Sequence, residues 1–437
     1  MARTATNPVN AYQRTFSDIV RQQLKPARLL ALAVVRKLKS QGINASYHVD
    51  SLERSLAASL DKDGSDGKLK VQFETGDAAI DNADVSLSVD DADVQRAMKD
   101  VSEAVTASVP ELMERLYESA MRRVVKDPGE RLLYLQSQRE DFNRRLALRW
   151  KRPFELLSIQ VALTFELGEG LNESLRRKRR RSKNLVVADV LTRLHARACQ
   201  VACEVETLLR NGFADGALSR WRTLHELAVV ALFIKQESPE VAERYLLHVN
   251  IDSLKAAKQY AHFAPLLGYA SVPKRDMARL QRVAHVLEKR FGKPFLGEYG
   301  WAAGALKNRS PSFSQIEGAV DLDRLLPYFK LASNTVHAGP KGAVFRVGSI
   351  RTEREVLLAG ASNAGLDEAG RLTALSLCQM TACLLMVEPT VDSYVWLKVL
   401  LTLSERVEGE FIKVQRRLER EEKKRGAIGT TKSARPN

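Results

Sequence analysis

Apolar residues recur at helical spacing along most of this chain, and this pattern constrains the fold more than any other feature. From residue 185 onward they return every three or four positions, as at Val187, Leu191, Leu194, Val201 and Val205. Such a period places an apolar stripe along one side of a helix. The predicted helices of this region span 185–210, 213–236, 239–254, 274–291, 321–336, 366–387 and 390–424.

Helix start and stop signals support these boundaries. Asn211 and Gly212 end the first of these helices, and Ser238 with Pro239 is typical of an N-cap followed by the first helical position. Pro389 separates the last two. The helix 366–387 holds the longest apolar stretch, but polar residues interrupt it and it is shorter than the roughly 20 residues of a membrane span. It is therefore predicted to be a buried core helix.

The N-terminal part has a different composition. Residues 61–93 hold ten acidic residues against three lysines, and alternating segments at 69–73 and 85–89 predict short strands. Helical patterns at 13–39 and 93–126 flank them. We therefore expect a mainly α protein with a small N-terminal α+β module and a C-terminal helical bundle domain.

The predicted domains follow from these changes of pattern. They are an N-terminal module at 1–131, a helical connector at 132–184, a helical domain at 185–425 and a disordered tail at 426–437. Within the helical domain, 343–350 is predicted to form a short strand pair after a turn.

Composition limits the partners and the compartment. The chain carries 68 basic against 53 acidic residues, a formal charge of +15, which favours polyanionic partners such as RNA or other nucleic acid. Four cysteines are too few for a disulfide scaffold, and the first residues lack a secretion pattern. We expect a cytoplasmic protein with no membrane partner, and the sequence leaves a homodimer open.

A dense basic run ends the predicted connector. It consists of Arg176, Arg177, Lys178, Arg179, Arg180, Arg181 and Lys183, with Ser182 between the last two. Such a block repels itself and cannot enter a core, so it is either a nucleic-acid contact through phosphates or a solvated linker.

Two polar stretches lie against apolar sequence in the helical domain. In the first, Arg222 and Glu226 lie four residues apart on one helix, just before an apolar segment. This spacing predicts an ion pair at the point where the helix enters the core. Such a pair is either a structural contact or part of a functional site.

The second stretch contains Asn334 and His337 at the end of a predicted helix. A turn from Gly339 to Gly342 follows, where the backbone can approach a ligand closely. A histidine at a helix end acts either as a cap or as a catalyst. We expect Arg222 and Glu226 to face Asn334 and His337 as one polar site.

These stretches resemble a bacterial family with a domain of unknown function, number 5677. The resemblance covers about 185–395 and is carried by Arg222-x-x-x-Glu226, by Glu243-Arg244-Tyr245 and by Ser333-x-x-Val336-His337. The family has no settled activity, so the resemblance implies a helical fold rather than a reaction.

A further similarity is to HEPN-type helical domains, many of which are metal-independent ribonucleases in toxin and phage-defence systems. Their signature is an Arg or Asn, then four to six residues, then a His, and Arg220-x-x-x-x-His225 matches this spacing. By this resemblance the histidine exchanges protons with the ribose 2′-hydroxyl or the leaving oxygen, and the arginine stabilises phosphate charge. Arg222 with His337 is an alternative pairing.

Other chemistries lack their motifs. The sequence has no phosphate-binding glycine loop, no nucleophile elbow and no acidic metal cluster, so we expect no cofactor and no metal. His195, Cys199 and Cys203 share a helix face, but small core residues explain them better than zinc does. Two functions remain: an RNA-directed ribonuclease using the residues above, or a non-catalytic nucleic-acid- or protein-binding module whose polar cluster is a structural network.

Overall fold

The computed structural model describes residues 11–43, 49–60, 86–125, 128–178, 185–349 and 357–433. The chain divides into two compact units, Met1–Gln136 and Ser137–Asn437. The protein is mainly α-helical, as the sequence predicts, and none of the described residues forms a strand. None of the helices in these ranges combines the length and hydropathy that crossing a bilayer requires.

The smaller unit contains helices that pack against one another. Its helices are α1 (Ala11–Gln23), α2 (Pro26–Ser40), α3 (Val49–Leu60) and α4 (Asp91–Val125). Helices α2 and α3 bury a small cluster that includes Ala31, Leu38 and Leu52. Pro26 divides the predicted helix 13–39 into two, because proline favours the first turn of a helix.

The prediction of a strand at 85–89 is wrong for its described residues. Residues 86–90 are irregular, and Leu87 packs against the cluster of α2 and α3 rather than beside another strand. The other predicted strand, at 69–73, lies outside the described residues. The described residues of the N-terminal unit form helices and irregular connections, so its α+β character is not confirmed.

The larger unit contains longer helices. They are α5 (Gly129–Arg149, from residue 137 onward), α6 (Lys151–Lys178), α7 (Leu185–Arg210), α8 (Ala214–Gln236), α9 (Pro239–Phe263), α10 (Lys274–Phe291), α11 (Phe313–Ala319), α12 (Leu326–Val336), α13 (Pro340–Val344), α14 (Leu366–Leu385) and α15 (Val391–Ser433). The boundaries of α7 and α10 agree with the prediction. Helix α15 continues through residues 426–433, which the sequence assigns to a disordered tail. The predicted domain boundaries at 131 and 184 stay predictions.

Helix α14 lies at the centre of this unit and packs against α6, α7, α8 and α15. Most of its side chains are buried, as the apolar stretch predicts. Hydrogen bonds fix it to its neighbours: the Trp221 indole of α8 donates to the Leu372 carbonyl and the Ser376 hydroxyl, each at 3.0 Å. Gln160 of α6 donates to the Ala374 carbonyl at 2.8 Å.

The strand pair predicted at 343–350 is wrong over its described part. Residues up to Val344 complete α13, and a turn follows. The Asp215 carboxylate of α8 accepts hydrogen bonds from the backbone N–H groups of Val347 and Gly348, at 3.0 and 3.4 Å. These donors are therefore satisfied by a side chain rather than by a neighbouring strand.

Close packing of α14 against α15 depends on Gly370. A Cβ at this position would lie 2.3 Å from the ring of Phe411, which Trp150 and Phe154 hold at ring-centroid distances of 5.7 and 6.1 Å. The ring cannot move without disturbing these neighbours. Gly370 is therefore a packing requirement rather than a helix-breaking signal.

We predict that Gly370→Ala lowers the free energy of unfolding by about 2 kcal/mol through overpacking. Gly409→Ala on α15 is the matched control, because nothing lies within 4 Å of its Cβ position. In an exposed helix this second change should stabilise the protein by up to about 1 kcal/mol. Urea denaturation measures both values, and equal effects at the two glycines would contradict the packing argument.

Candidate functional site

Helix α8 carries the polar residues of the first predicted stretch, and it directs them to different neighbours. Arg220 forms an ion pair with Glu204 of α7. Arg222 lies over the Phe329 ring of α12, and His225 contacts Glu317 of α11. Arg220 and Arg222, two residues apart, project from different sides of the helix, whereas Arg222 and His225, three apart, both contact Phe329 but have different acidic partners. The polar residues of α8 therefore do not converge on one point.

The predicted ion pair between Arg222 and Glu226 is present. The Arg222 Nε donates to Glu226 Oε1 at 3.1 Å, and the guanidinium lies 4.5 Å from the centroid of the Phe329 ring. The side chains keep 26% and 37% of their surface exposed, so this pair lies at the edge of the core rather than within it. Burial still raises the pKa of Glu226, against the opposing effect of Arg222.

The fully buried ionisable pair is His225 with Glu317. Their side chains are 0% and 1% exposed, and His225 Nε2 lies 2.7 Å from Glu317 Oε1. Trp221, Phe313 and Phe329 surround the imidazole, with ring centroids 5.3 to 6.3 Å away. Burial lowers the pKa of His225, although Glu317 opposes this effect. Burial therefore favours the neutral imidazole, whose Nε2 shares a hydrogen bond with Glu317.

Each partner also has one buried polar atom without a hydrogen bond in the described part of the chain. His225 Nδ1 and Glu317 Oε2 are buried and accept or donate no hydrogen bond within the described part of the chain. Such groups are costly in a core, and the 2.7 Å contact offsets only part of that cost. The sequence could have pointed to Glu317, because it is the one acid in the apolar segment Phe313–Ala319.

The second predicted stretch lies at the far end of α12. Helix α12 runs antiparallel to α8, because Thr335 and Ser219 share a hydrogen bond while Phe329 lies beside Arg222 and His225. His337 is eight residues beyond Phe329, or about 12 Å along the axis.

His337 is exposed and Asn334 is half-buried. Among the described contacts, no hydrogen bond, ion pair or ring contact joins either residue to Arg222 or Glu226. Of the four residues that the sequence expects to form one site, Arg222 and Glu226 are paired, but none of these contacts joins them to Asn334 or His337. The alternative pairing of Arg222 with His337 likewise has no such contact among the described residues.

The glycine turn after α12 serves packing. A Cβ on Gly342 would lie 2.0 Å from the Asn334 carbonyl oxygen, so only glycine allows the turn to fold back onto the helix end. This close approach, rather than a ligand, accounts for the glycine within the described residues. His337 is the residue directly after α12, and its backbone N–H donates to the Ser333 carbonyl at 3.2 Å.

The Arg220 and His225 pair, which the HEPN resemblance brings together, is also separated. Arg220 contacts Glu204 and Thr223 at the α7 side of α8, while His225 is enclosed on the α11 side. The basic run is described only in part: Arg176 and Arg177 are exposed at the end of α6, with Arg177 paired to Glu173 at 2.7 Å. Arg179, Arg180, Arg181 and Lys183 lie outside the described residues, and so does the side chain of Lys178.

His195, Cys199 and Cys203 lie on α7 beside α14. Cys199 Sγ lies 3.6 Å from His195 Nδ1, and His195 Nε2 lies 3.3 Å from the Thr381 hydroxyl, which donates to the Leu377 carbonyl. Burial raises the pKa of Cys199 to about 12 and lowers that of His195 to about 4, so both groups are neutral. No group of three potential metal ligands occurs in the described ranges.

The fold and these contacts define a helical domain with buried polar pairs in its interior. Residues 188–353 match the model of a family described as a family of unknown function, DUF5677. This match confirms, over this segment, the resemblance that is predicted from Arg222-x-x-x-Glu226 and Val336-His337. No curated protein and no solved structure matches the chain.

We predict that Glu317→Ala lowers the free energy of unfolding by about 3 kcal/mol, because it leaves His225 buried without its acceptor. Glu226→Ala is the matched control: its pair with Arg222 is partly exposed, and its loss should cost no more than about 1 kcal/mol. Chemical denaturation of the two variants tests the ranking. A larger cost at Glu226 would mean that Arg222–Glu226 is the principal polar contact.

A second prediction concerns His195 and pH. The folded protein keeps this ring neutral, whereas the unfolded chain takes up a proton below about pH 6.5. Stability should therefore fall as the pH decreases from 6.5 to about 4, by about 3 kcal/mol from this residue. His195→Gln should lose that part of the pH dependence. Identical pH profiles of unfolding for the variant and the native protein would contradict it.

Proposed function

We propose that the larger unit is a non-catalytic nucleic-acid-binding module, in which the polar residues of α8 stabilise packing. The observation that carries this proposal is the enclosure of His225. A general base must come within hydrogen-bond distance of the proton that it removes. His225 has no exposed surface, and the one neighbour that its Nε2 reaches is Glu317.

The arginines of α8 support the same proposal. Arg220 is engaged by Glu204, and Arg222 is engaged by Glu226 and by the Phe329 ring. A guanidinium that stabilises a phosphoryl transition state must be free to contact it. Neither arginine meets that requirement without giving up a contact within the fold.

Nucleic acid is the partner that the charge of the chain favours. The formal charge of +15 attracts phosphates and releases their counterions on binding, independently of sequence. The basic run from Arg176 to Lys183 adds seven positive charges at the end of α6. We also propose a cytoplasmic location, since all four cysteines are free thiols, as in a reducing compartment. A homodimer stays a prediction.

A metal-independent ribonuclease in a defence or toxin system is the second candidate. One observation favours it: His337 is exposed at the end of α12, with Asn334 one turn before it. In that reaction His337 would exchange the proton of the ribose hydroxyl. The contacts of Arg222, Glu226, Arg220 and His225 give this candidate less support.

Incubation of the purified protein with labelled RNA in EDTA separates the two candidates. We predict that the protein binds the RNA with an affinity that falls steeply with salt, and that the RNA stays intact. His337→Ala should change neither result. If the protein cleaves the RNA, and His337→Ala abolishes cleavage without changing the melting temperature, the result would favour the ribonuclease over the binding module. Absence of any RNA or DNA binding would reject the binding module.

A further inference from the structure

Helix α10 carries a row of basic residues on its outer face. Arg275, Arg279, Arg282 and Lys289 lie four, three and seven residues apart, which places them on one side of the helix. All four are exposed, whereas Leu287 on the other side is buried. We call these four residues the basic stripe. Over fourteen positions it extends about 21 Å along the axis.

The charge of the basic stripe is not neutralised by its neighbours. Elsewhere in this unit exposed arginines pair with an acid one turn away, as Arg193 does with Asp189 and Arg417 with Glu421. No such ion pair reaches the basic stripe from any residue that the structure describes. Residues 253–291 contain eight lysines and arginines and two acids, Asp276 and Glu288. The stripe therefore presents an uncompensated positive potential.

An exposed aromatic loop adjoins the start of this stripe. The loop joins α9 to α10, and its outermost side chains are Phe263, Leu266, Leu267 and Tyr269, of which Leu266 is 81% exposed. The rings of Tyr260 and Tyr269 are parallel within 4°, with centroids 6.4 Å apart. We call these five residues the aromatic tip.

The tip is held in one conformation although it is exposed. The N–H of Tyr269 bonds to the Ala264 carbonyl at 2.9 Å, and Gly268 supplies the positive φ of +68° that this helix ending requires. The Tyr260 hydroxyl donates to the Ala270 carbonyl at 3.2 Å. Ordered apolar groups that remain in water indicate a surface that a partner covers.

We propose that the basic stripe and the aromatic tip together bind a single strand of nucleic acid, with phosphates along α10 and bases stacked on Tyr269 and Tyr260. This inference rests on the proposed function and names its surface. Proteins that bind single strands combine a positive track for the backbone with aromatic rings for the bases. The two features adjoin here, because the tip loop leads directly into α10 at Lys274.

A linear chain of phosphates can follow the whole stripe, which extends about 21 Å along α10, and its bases can stack on the rings of the tip. An anionic lipid surface is the alternative that the vesicle experiment below tests. A duplex offers phosphates too, but its bases are stacked inside and cannot reach Tyr269.

The first test replaces the stripe. A variant with Arg275→Gln, Arg279→Gln and Arg282→Gln should bind short single-stranded RNA or DNA about tenfold more weakly, and its salt dependence should fall by about two in log–log slope. Fluorescence anisotropy of labelled oligouridine and oligothymidine measures both, and the two oligonucleotides separate RNA from DNA as the ligand.

A control variant removes the same charge elsewhere. Arg193→Gln, Arg197→Gln and Arg417→Gln change exposed arginines that already bond to neighbouring side chains. This variant should retain most of the binding. Equal losses in the stripe and control variants would overturn the proposal, because binding would then depend on net charge alone.

The second test concerns the tip. Tyr269→Leu keeps an apolar side chain but removes the ring, and it should weaken single-strand binding roughly tenfold while leaving duplex binding unchanged. Tyr394→Leu removes an exposed ring of α15, outside the tip, so it should bind as the native protein does. Unchanged single-strand binding by Tyr269→Leu, or binding of phosphatidylserine vesicles that this variant abolishes, would overturn the assignment of the tip to nucleic acid.

These outcomes are distinct from failure of the proposed function. If the native protein binds no nucleic acid at any salt concentration, the proposed function fails and this inference fails with it. If the native protein binds nucleic acid, and the stripe and tip variants bind it as tightly as the native protein does, only this inference is rejected. Circular dichroism and thermal unfolding establish that each variant is folded.

Discussion

The packing of α8 against α14 is the contact on which the larger unit depends. Trp221 is completely buried, and its indole bonds to Leu372 and Ser376 on the facing helix. A buried indole N–H without an acceptor would be costly, so this bond fixes both the depth and the rotation of α8. Once that rotation is set, each polar residue of α8 is assigned to one neighbour.

This assignment accounts for the separation of the polar residues. With Trp221 directed at α14, Arg220 is directed at α7, Arg222 at α12 and His225 at α11. A helix presents successive residues at different angles, so a cluster that is dense in sequence is dispersed in space. The polar residues of α8 thus take part in several helix–helix contacts, whereas the exposed charge of the basic stripe lies on α10.

Much of the fold could be predicted from local patterns. The apolar period gives α7 and α10 with their boundaries, and the spacing of Arg222 and Glu226 gives their ion pair. The alternation of apolar and polar residues predicts the strands, but such a segment forms a strand only where a partner strand is available. Residues 86–90 and 345–349 instead find their contacts in an apolar cluster and in the Asp215 carboxylate.

The sequence by itself determined a mainly helical chain, its basic charge, its family resemblance and the polar residues within α8 and α12, because these follow from composition, local spacing and motif. Only the tertiary structure decided their partners. Glu317 is ninety-two residues from His225, and Glu204 lies on a different helix from Arg220. Contacts over such separations depend on how helices rotate and pack, which local periodicity does not encode. Packing therefore enclosed His225, left Arg222 at the edge and exposed the stripe of α10.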